Sequence, residues 1–375
     1  MDRMKQRSRW LPLAATGIAA LAPVNALPQE IPNLPPPGLA TPAPDLPHVV
    51  LISLGGTISG TATERLNITN YGAPRLAPAD WIEALPELAL VAQVTPEDLR
   101  EPQGKESNPV SLHWMKVARR LQELAADDKV DGIVITHGTN VMAEVAYFMD
   151  LVVDIHKPVV FVGAQRPWTG ISGDGPLNLY NAVRVAATRE AAGKGVLQAM
   201  NQNVHAARDV TKTSAYRVET FQAVDLGVLG VADPDMVKFF TEPTRRHTYK
   251  SEFNIRSLPR ELPPVELVYA YNDAPGYLID AMVKRGVKGI VIDGVGAGGL
   301  IGGFTEATKR AQKKGVVVVA TARTQGGRVQ DTPRRREANI VPGDNLPGEK
   351  ARLLLQLALT KTSDLAEITR IFNEY

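Results

Sequence analysis

Cysteine is missing from all 375 residues, which removes zinc-thiolate sites, iron–sulfur clusters, thiol nucleophiles and disulfides together. An excess of either charge is also missing. Lys and Arg number 42 against 40 Asp and Glu, a net charge of +2. No broad cationic field exists for gripping a phosphate backbone, so nucleic-acid binding is disfavoured. Histidine is scarce, and His48, His113, His137, His156, His205 and His247 never fall at i, i+4 spacing or beside an acidic cluster. A dedicated metal site is not expected. The pattern GxSxG is absent, since Gly170-Ile171-Ser172-Gly173 runs on into Asp174, which argues against an α/β-hydrolase nucleophile elbow.

What is present is ordinary for a globular chain: 44% hydrophobic and 22% charged residues, with length enough for two domains, or at most three. Residues 1–26 read as an export signal. Arg3, Lys5, Arg7 and Arg9 precede an apolar stretch from Trp10 to Pro23, and Val24-Asn25-Ala26 offers a cleavage pattern. That stretch is shorter than the roughly 20 residues needed to cross a bilayer, so no membrane contact is expected after cleavage. Residues 27–47 are rich in proline and read as a stiff spacer.

From His48 onward, short β-branched runs alternate with amphipathic stretches. Strands are expected at 48–54, 132–135, 158–163 and 195–200, and helices at 111–126 and 141–153. A polar, proline-containing stretch at 241–264 reads as a linker. A second alternation follows, with strands at 265–271, 289–293 and 316–321 and helices at 274–285, 303–314, 348–359 and 364–372. The pattern predicts an α/β chain: a larger parallel-sheet N-terminal domain over 48–240 and a smaller α/β domain over 265–375.

Ligands of open parallel sheets bind beyond the carboxyl ends of the strands, and three polar clusters fall there. Gly55-Gly56-Thr57 lets the backbone turn sharply and presents a hydroxyl. Thr136-His137-Gly138-Thr139-Asn140 sets a hydroxyl and an amide before a helix N-terminus, where free N–H groups favour developing negative charge. Arg208-Asp209-Val210-Thr211-Lys212 carries a lysine with no acidic partner at helical spacing. Each has a plain alternative, for Thr57, Thr139 or Asn140 could cap a helix and Lys212 could be a solvated charge. Together, two threonines and one lysine suit hydroxyl nucleophiles with an amine base, the equipment of amide hydrolysis. A nucleotide-dependent enzyme is the competing reading, from Gly294-Val295-Gly296-Ala297-Gly298-Gly299. It lacks the acid expected about 20 residues on, because the next strand leads to Ala322 and Arg323. These glycines read better as a tight interdomain turn.

The clusters have a family counterpart. From His48 to Tyr375 the chain resembles the bacterial type II L-asparaginase (asparaginase/glutaminase) family. The resemblance rests on LGGTISG (54–60), DGIVITHGTN (131–140), KPVVFVGAQRP (157–167), DGPLNLYNAV (174–183), RDVTKT (208–213), KARLLLQLALTKT (350–362) and IFNEY (371–375). It implies two α/β domains and a homotetramer of intimate dimers with sites shared between subunits. It also implies a small-molecule amide substrate and no cofactor. Carried across by position, the nucleophilic threonine is Thr57, the lid tyrosine Tyr71, the second threonine Thr139 and the lysine Lys212.

Departures cluster around recognition of the amino-acid head group. The family's Thr-Asp pair is Thr139-Asn140 here. The serine that receives the α-carboxylate aligns with Glu106, and Ser107 supplies it if the register slips by one. Where a partner-subunit glutamate is expected, the chain reads Thr332, Pro333 and Arg334. The polar residue reaching a neighbouring site falls on Asn272 or Asp273. The resemblance therefore implies asparagine hydrolysis. A different amide lacking a free α-ammonium and a catalytically inactive periplasmic binding homologue are the alternatives.

Overall fold

A computed structural model describes residues 43–72, 75–101 and 110–375; the expected signal, most of the spacer, and Glu106 and Ser107 lie outside them. In chain order the first half contains β1 (His48–Ser53), α1 (Pro78–Ala84), β2 (Gln93–Asp98), α2 (Val110–Ala125), β3 (Gly132–Thr136), α3 (Met142–Val152), β4 (Val159–Val162), α4 (Gly175–Ala186) and β5 (Val196–Met200). Five short strands follow: β6 (Asn203–Ala206), β7 (Thr211–Lys212), β8 (Phe221–Gln222), β9 (Gly230–Ala232) and β10 (Val237–Phe239). The second half holds β11 (Val265–Tyr269), α5 (Tyr277–Lys284), β12 (Gly289–Gly294), α6 (Phe304–Gln312), β13 (Val317–Ala322), α7 (Pro333–Glu337), β14 (Ile340–Pro342), α8 (Gly348–Ala358) and α9 (Leu365–Glu374).

The large sheet has the order β10-β9-β6-β5-β4-β3-β1-β2. Strands β2, β1, β3, β4 and β5 are parallel, and their central members are buried along almost their whole length with apolar runs at their centres, because helices cover both faces. The expected strands and helices are present to within a few residues. The sheet also continues past β5 as an antiparallel extension through β6, β9 and β10, which strand–helix alternation does not reveal. Strand β2 (QVTPED) is half exposed and holds Pro96. Such a sequence lacks a strand pattern, and it is tolerated because the strand sits at the sheet edge.

The smaller sheet, β11-β12-β13-β14, is wholly parallel. Its side chains alternate between two cores. Ile290, Ile292 and Val318 face α5 and α6, while Val291, Val317 and Val319 join the main core together with α8 and α9. The 241–264 stretch is irregular apart from one turn of 3-10 helix at Thr248–Lys250, yet Phe253 and Ile255 are buried in the main core. It is a packed strap as well as a connection.

Strand β1 lies between β2 and β3. The chain runs β1 to β2 on one side and returns to β3 on the other, so the β1/β3 boundary is a topological switch point. Crevices for ligands open at such boundaries. Leu51, fully buried in β1, measures how much this pair matters to the fold. Leu51→Ala is expected to cost about 2–5 kcal/mol in equilibrium urea unfolding, and a loss below about 1 kcal/mol would contradict a tightly packed β1.

Candidate active site

Ser53 at the end of β1 pairs with Thr136 at the end of β3, and the Leu54 amide still bonds the Thr136 carbonyl at 2.9 Å. The two chains therefore leave the sheet level with each other. Gly55 and Gly56 then take φ of +85° and +100°. A Cβ on Gly56 would stand 2.5 Å from the Gly138 nitrogen. Only glycine permits both this backbone conformation and this approach of one loop to the other. The turn ends in a 3-10 element, Thr57–Ser59, whose cap position is Gly56 with no side-chain cap. Thr57 is thus not a capping residue.

The Thr57 hydroxyl meets the Tyr71 hydroxyl at 2.5 Å. Tyr71 lies against Gly60, where an added Cβ would be 2.4 Å from the ring. Its segment is tied back by the Gly72 amide on the Thr61 carbonyl at 3.2 Å and the Leu76 amide on the Ser59 carbonyl at 2.9 Å.

Thr139 is buried, with 5% of its surface exposed. The Lys212 ammonium donates to its hydroxyl at 2.7 Å and to the Asn140 side-chain oxygen at 3.3 Å. Helix α3 starts after Val141, without a side-chain cap, so neither Thr139 nor Asn140 is spent on capping. Nor is Lys212 a free surface charge. Burial pushes its pKa below the usual lysine range, and among the described residues of the cleft no carboxylate lies beside it to restore the charged form.

Thr57, Tyr71, Thr139, Asn140 and Lys212 line one cleft of about 380 Å³. No Asp or Glu lines it among the described residues, whereas Arg75 and Lys212 do. Gln165 also lines the cleft; the sequence patterns do not single it out, although it follows strand β4, where the strand-end rule points. Its loop is braced by the Asp174 carboxylate, which accepts from the Gln165 amide at 3.0 Å and the Arg166 amide at 2.9 Å. Asn272 and Asp273 follow β11, are exposed, bond each other at 2.9 Å and do not line this chain's cleft.

The Gly294–Gly299 turn closes on itself, with reciprocal bonds of 3.0 and 2.7 Å between Val295 and Gly299. Those amide groups are committed to each other rather than aimed at a phosphate. Among the described residues no group of three or more His, Asp or Glu could hold a metal ion, and no helix is long and apolar enough to cross a membrane.

Fold and cleft define an α/β protein with one large and one smaller main sheet, whose polar site, made of two hydroxyl-containing pairs, lies at a parallel-sheet switch point. The profile "Asparaginase, N-terminal" matches residues 48–245, and "Glutaminase/Asparaginase C-terminal domain" matches 264–372. The chain is 42% identical to L-asparaginase 2 of Bacillus subtilis over 88% of its own length and 87% of that protein's. It is 41% identical to a probable periplasmic L-asparaginase of Haemophilus influenzae, over 89% and 94% of the two chains. The solved structure of a probable cytoplasmic L-asparaginase from Campylobacter jejuni superposes with a TM-score of 0.83 at 36% identity, covering 88% of this chain and all of that one. The chain belongs to the asparaginase family of amide-hydrolysing enzymes.

The Lys212 environment sets a sign for pH dependence. Its depressed pKa makes the neutral amine available at lower pH than for an exposed lysine. Activity that needs this amine as a base should rise with pH on a limb lying below the ordinary lysine range. Asn140→Asp places an anion beside the amine, raises its pKa and should move the rising limb to higher pH. A pH–rate profile unmoved by that substitution would contradict the assignment of the limb to Lys212.

Proposed function

We propose that the enzyme hydrolyses L-asparagine to L-aspartate and ammonia through an acyl-enzyme on Thr57. The Thr57 oxygen attacks the side-chain carboxamide carbon while its proton passes to the Tyr71 hydroxyl, 2.5 Å away, which gives up its own proton towards the departing nitrogen. The carbon–nitrogen bond then breaks, and ammonia leaves carrying that proton. Water attacks the resulting ester and gives up its proton towards Thr139 and the neutral Lys212 amine, 2.7 Å apart. As the ester C–O bond breaks, the proton taken from water is passed on to the leaving Thr57 oxygen, which restores its hydroxyl and releases aspartate. Backbone N–H groups around Thr139 face the developing oxyanion, and one such donor typically contributes about 10²–10³ in rate.

The single observation behind this reading is that the two pairs, Thr57–Tyr71 and Thr139–Lys212, line one cleft. That the relatives are named L-asparaginases supports asparagine as substrate. The reading also includes export by way of residues 1–26 and a homotetramer in which Asn272 or Asp273 approaches a neighbour's cleft. Glu106, outside the described residues, is the group in this chain proposed to meet the substrate ammonium.

One observation favours a second substrate class. The cleft carries Arg75 and Lys212 but no carboxylate among the described residues, which suits an amide with a free carboxylate and no α-ammonium. Ammonia release from L-asparagine should be compared with release from succinamate and N-acetyl-asparagine. A higher kcat/KM for the last two selects the second class. In either case Thr57→Ala should lower kcat by at least about 10³-fold without loss of fold. Near wild-type turnover in that variant would end the threonine mechanism.

A further inference from the structure

Strand β7, which presents Lys212, is only two residues long and, among the described residues, pairs only with β8, itself two residues. The large sheet therefore does not fix where Lys212 sits. The turn before it, Ala207–Val210, is held from outside. The Lys350 ammonium, in the first turn of α8 and wholly buried, donates to the carbonyls of Ala207 at 2.8 Å, Arg208 at 2.8 Å and Val210 at 2.6 Å. An ammonium has three donors, and all three go to this one turn. The same ammonium stands 5.7 Å from the centre of the Tyr147 ring on α3, the helix that follows Thr139 and Asn140.

We propose that Lys350 is a positioning residue for catalysis, which clamps the 207–210 turn to α3 so that Lys212 stays within hydrogen-bond reach of Thr139. The proposal rests on the reading in which Lys212 serves the reaction. Several features mark the clamp as more than core filling. An apolar side chain would fill the volume at lower cost than a buried cation, and the three acceptors lie within the four residues that precede Thr211-Lys212. Arg208 in the same turn is fixed separately, through Asp209 at 2.7 Å, Asn345 at 2.9 Å and a backbone oxygen of Tyr375. The charged groups around Lys350 include Asp209 and Arg208 on the turn, Asp150 and Glu144 on α3 and Glu349 on its own helix. Burial pushes its pKa down to about 8 while Asp209 and Glu349 pull it up, so the ammonium, with all three donors, prevails at neutral pH.

The test compares wild type, Lys212→Met, Lys350→Met and the double variant by steady-state ammonia release across pH, alongside thermal melting. Lys350→Met, assayed below its melting temperature, is expected to lose about 10–100-fold in kcat, the scale of an ångström-sized misplacement, with KM changed less than about threefold. Its rising pH limb should move to higher pH as Lys212 becomes more solvated. The double variant should be no slower than Lys212→Met. If Lys212→Met is inactive but Lys350→Met keeps the wild-type kcat and pH limb, the clamp is merely structural and the proposal falls. If Lys212→Met is as active as wild type, the underlying reading falls instead. Should Lys350→Met not fold, wild-type protein labelled with ¹⁵N-lysine decides. A slowly exchanging, protonated Lys350 side-chain signal at pH 7 supports the clamp, and a neutral or freely exchanging amine overturns it.

Discussion

Everything about the site depends on one backbone approach, that of Gly56 to Gly138. Parallel pairing of β1 with β3 brings the two loops out of the sheet at the same height, but level exits alone would leave side chains between them. With glycine at both positions the loops touch main chain to main chain. Thr57 and Thr139, each one residue further on, then line the same cleft. Rigid strands thus fix loops that carry chemistry, the usual division of labour in open α/β sheets.

Much of this architecture is legible in the sequence because parallel strands buried on both faces are written as unbroken apolar runs. HVVLIS, GIVIT and VVFV declare themselves, and so do the polar residues that follow them. The edge strand QVTPED has no such signature, and the three- and four-residue strands of the antiparallel extension are too short to show a period. The threonine pairs can be anticipated from strand ends. The anchoring of Lys212 cannot, because its acceptors are backbone carbonyls 140 to 143 residues away from Lys350 in the chain. A lysine within KARLLLQLAL reads as one polar position on an amphipathic helix. Backbone acceptors carry no residue identity, so only folding reveals them.

The dull explanations for the site residues fail for local reasons. Capping would have required Thr57 or Thr139 to face its own helix N-terminus. The caps are Gly56 and Val141, neither with a side-chain bond, which frees both hydroxyls for Tyr71 and Lys212. A solvated Lys212 would have kept its ordinary pKa, but the amine lies against Thr139, and burial pushes its pKa down.

Asn140 ties catalysis to recognition. In the proposed reading, an aspartate at this position would give an incoming ammonium a counter-charge, but it would also stabilise the protonated Lys212 and leave less neutral amine at a given pH. A neutral amide still accepts the hydrogen bond from Lys212 at 3.3 Å and exerts no such pull. In the proposed reading the cleft thereby holds a larger neutral fraction of this amine at a given pH and gives up one anchor for an amino-acid head group. A carboxylate for that head group must then come from outside the described lining of this single chain, or the substrate must not need one. The charge missing at residue 140 is therefore the point at which the choice of base and the choice of substrate become the same physical question.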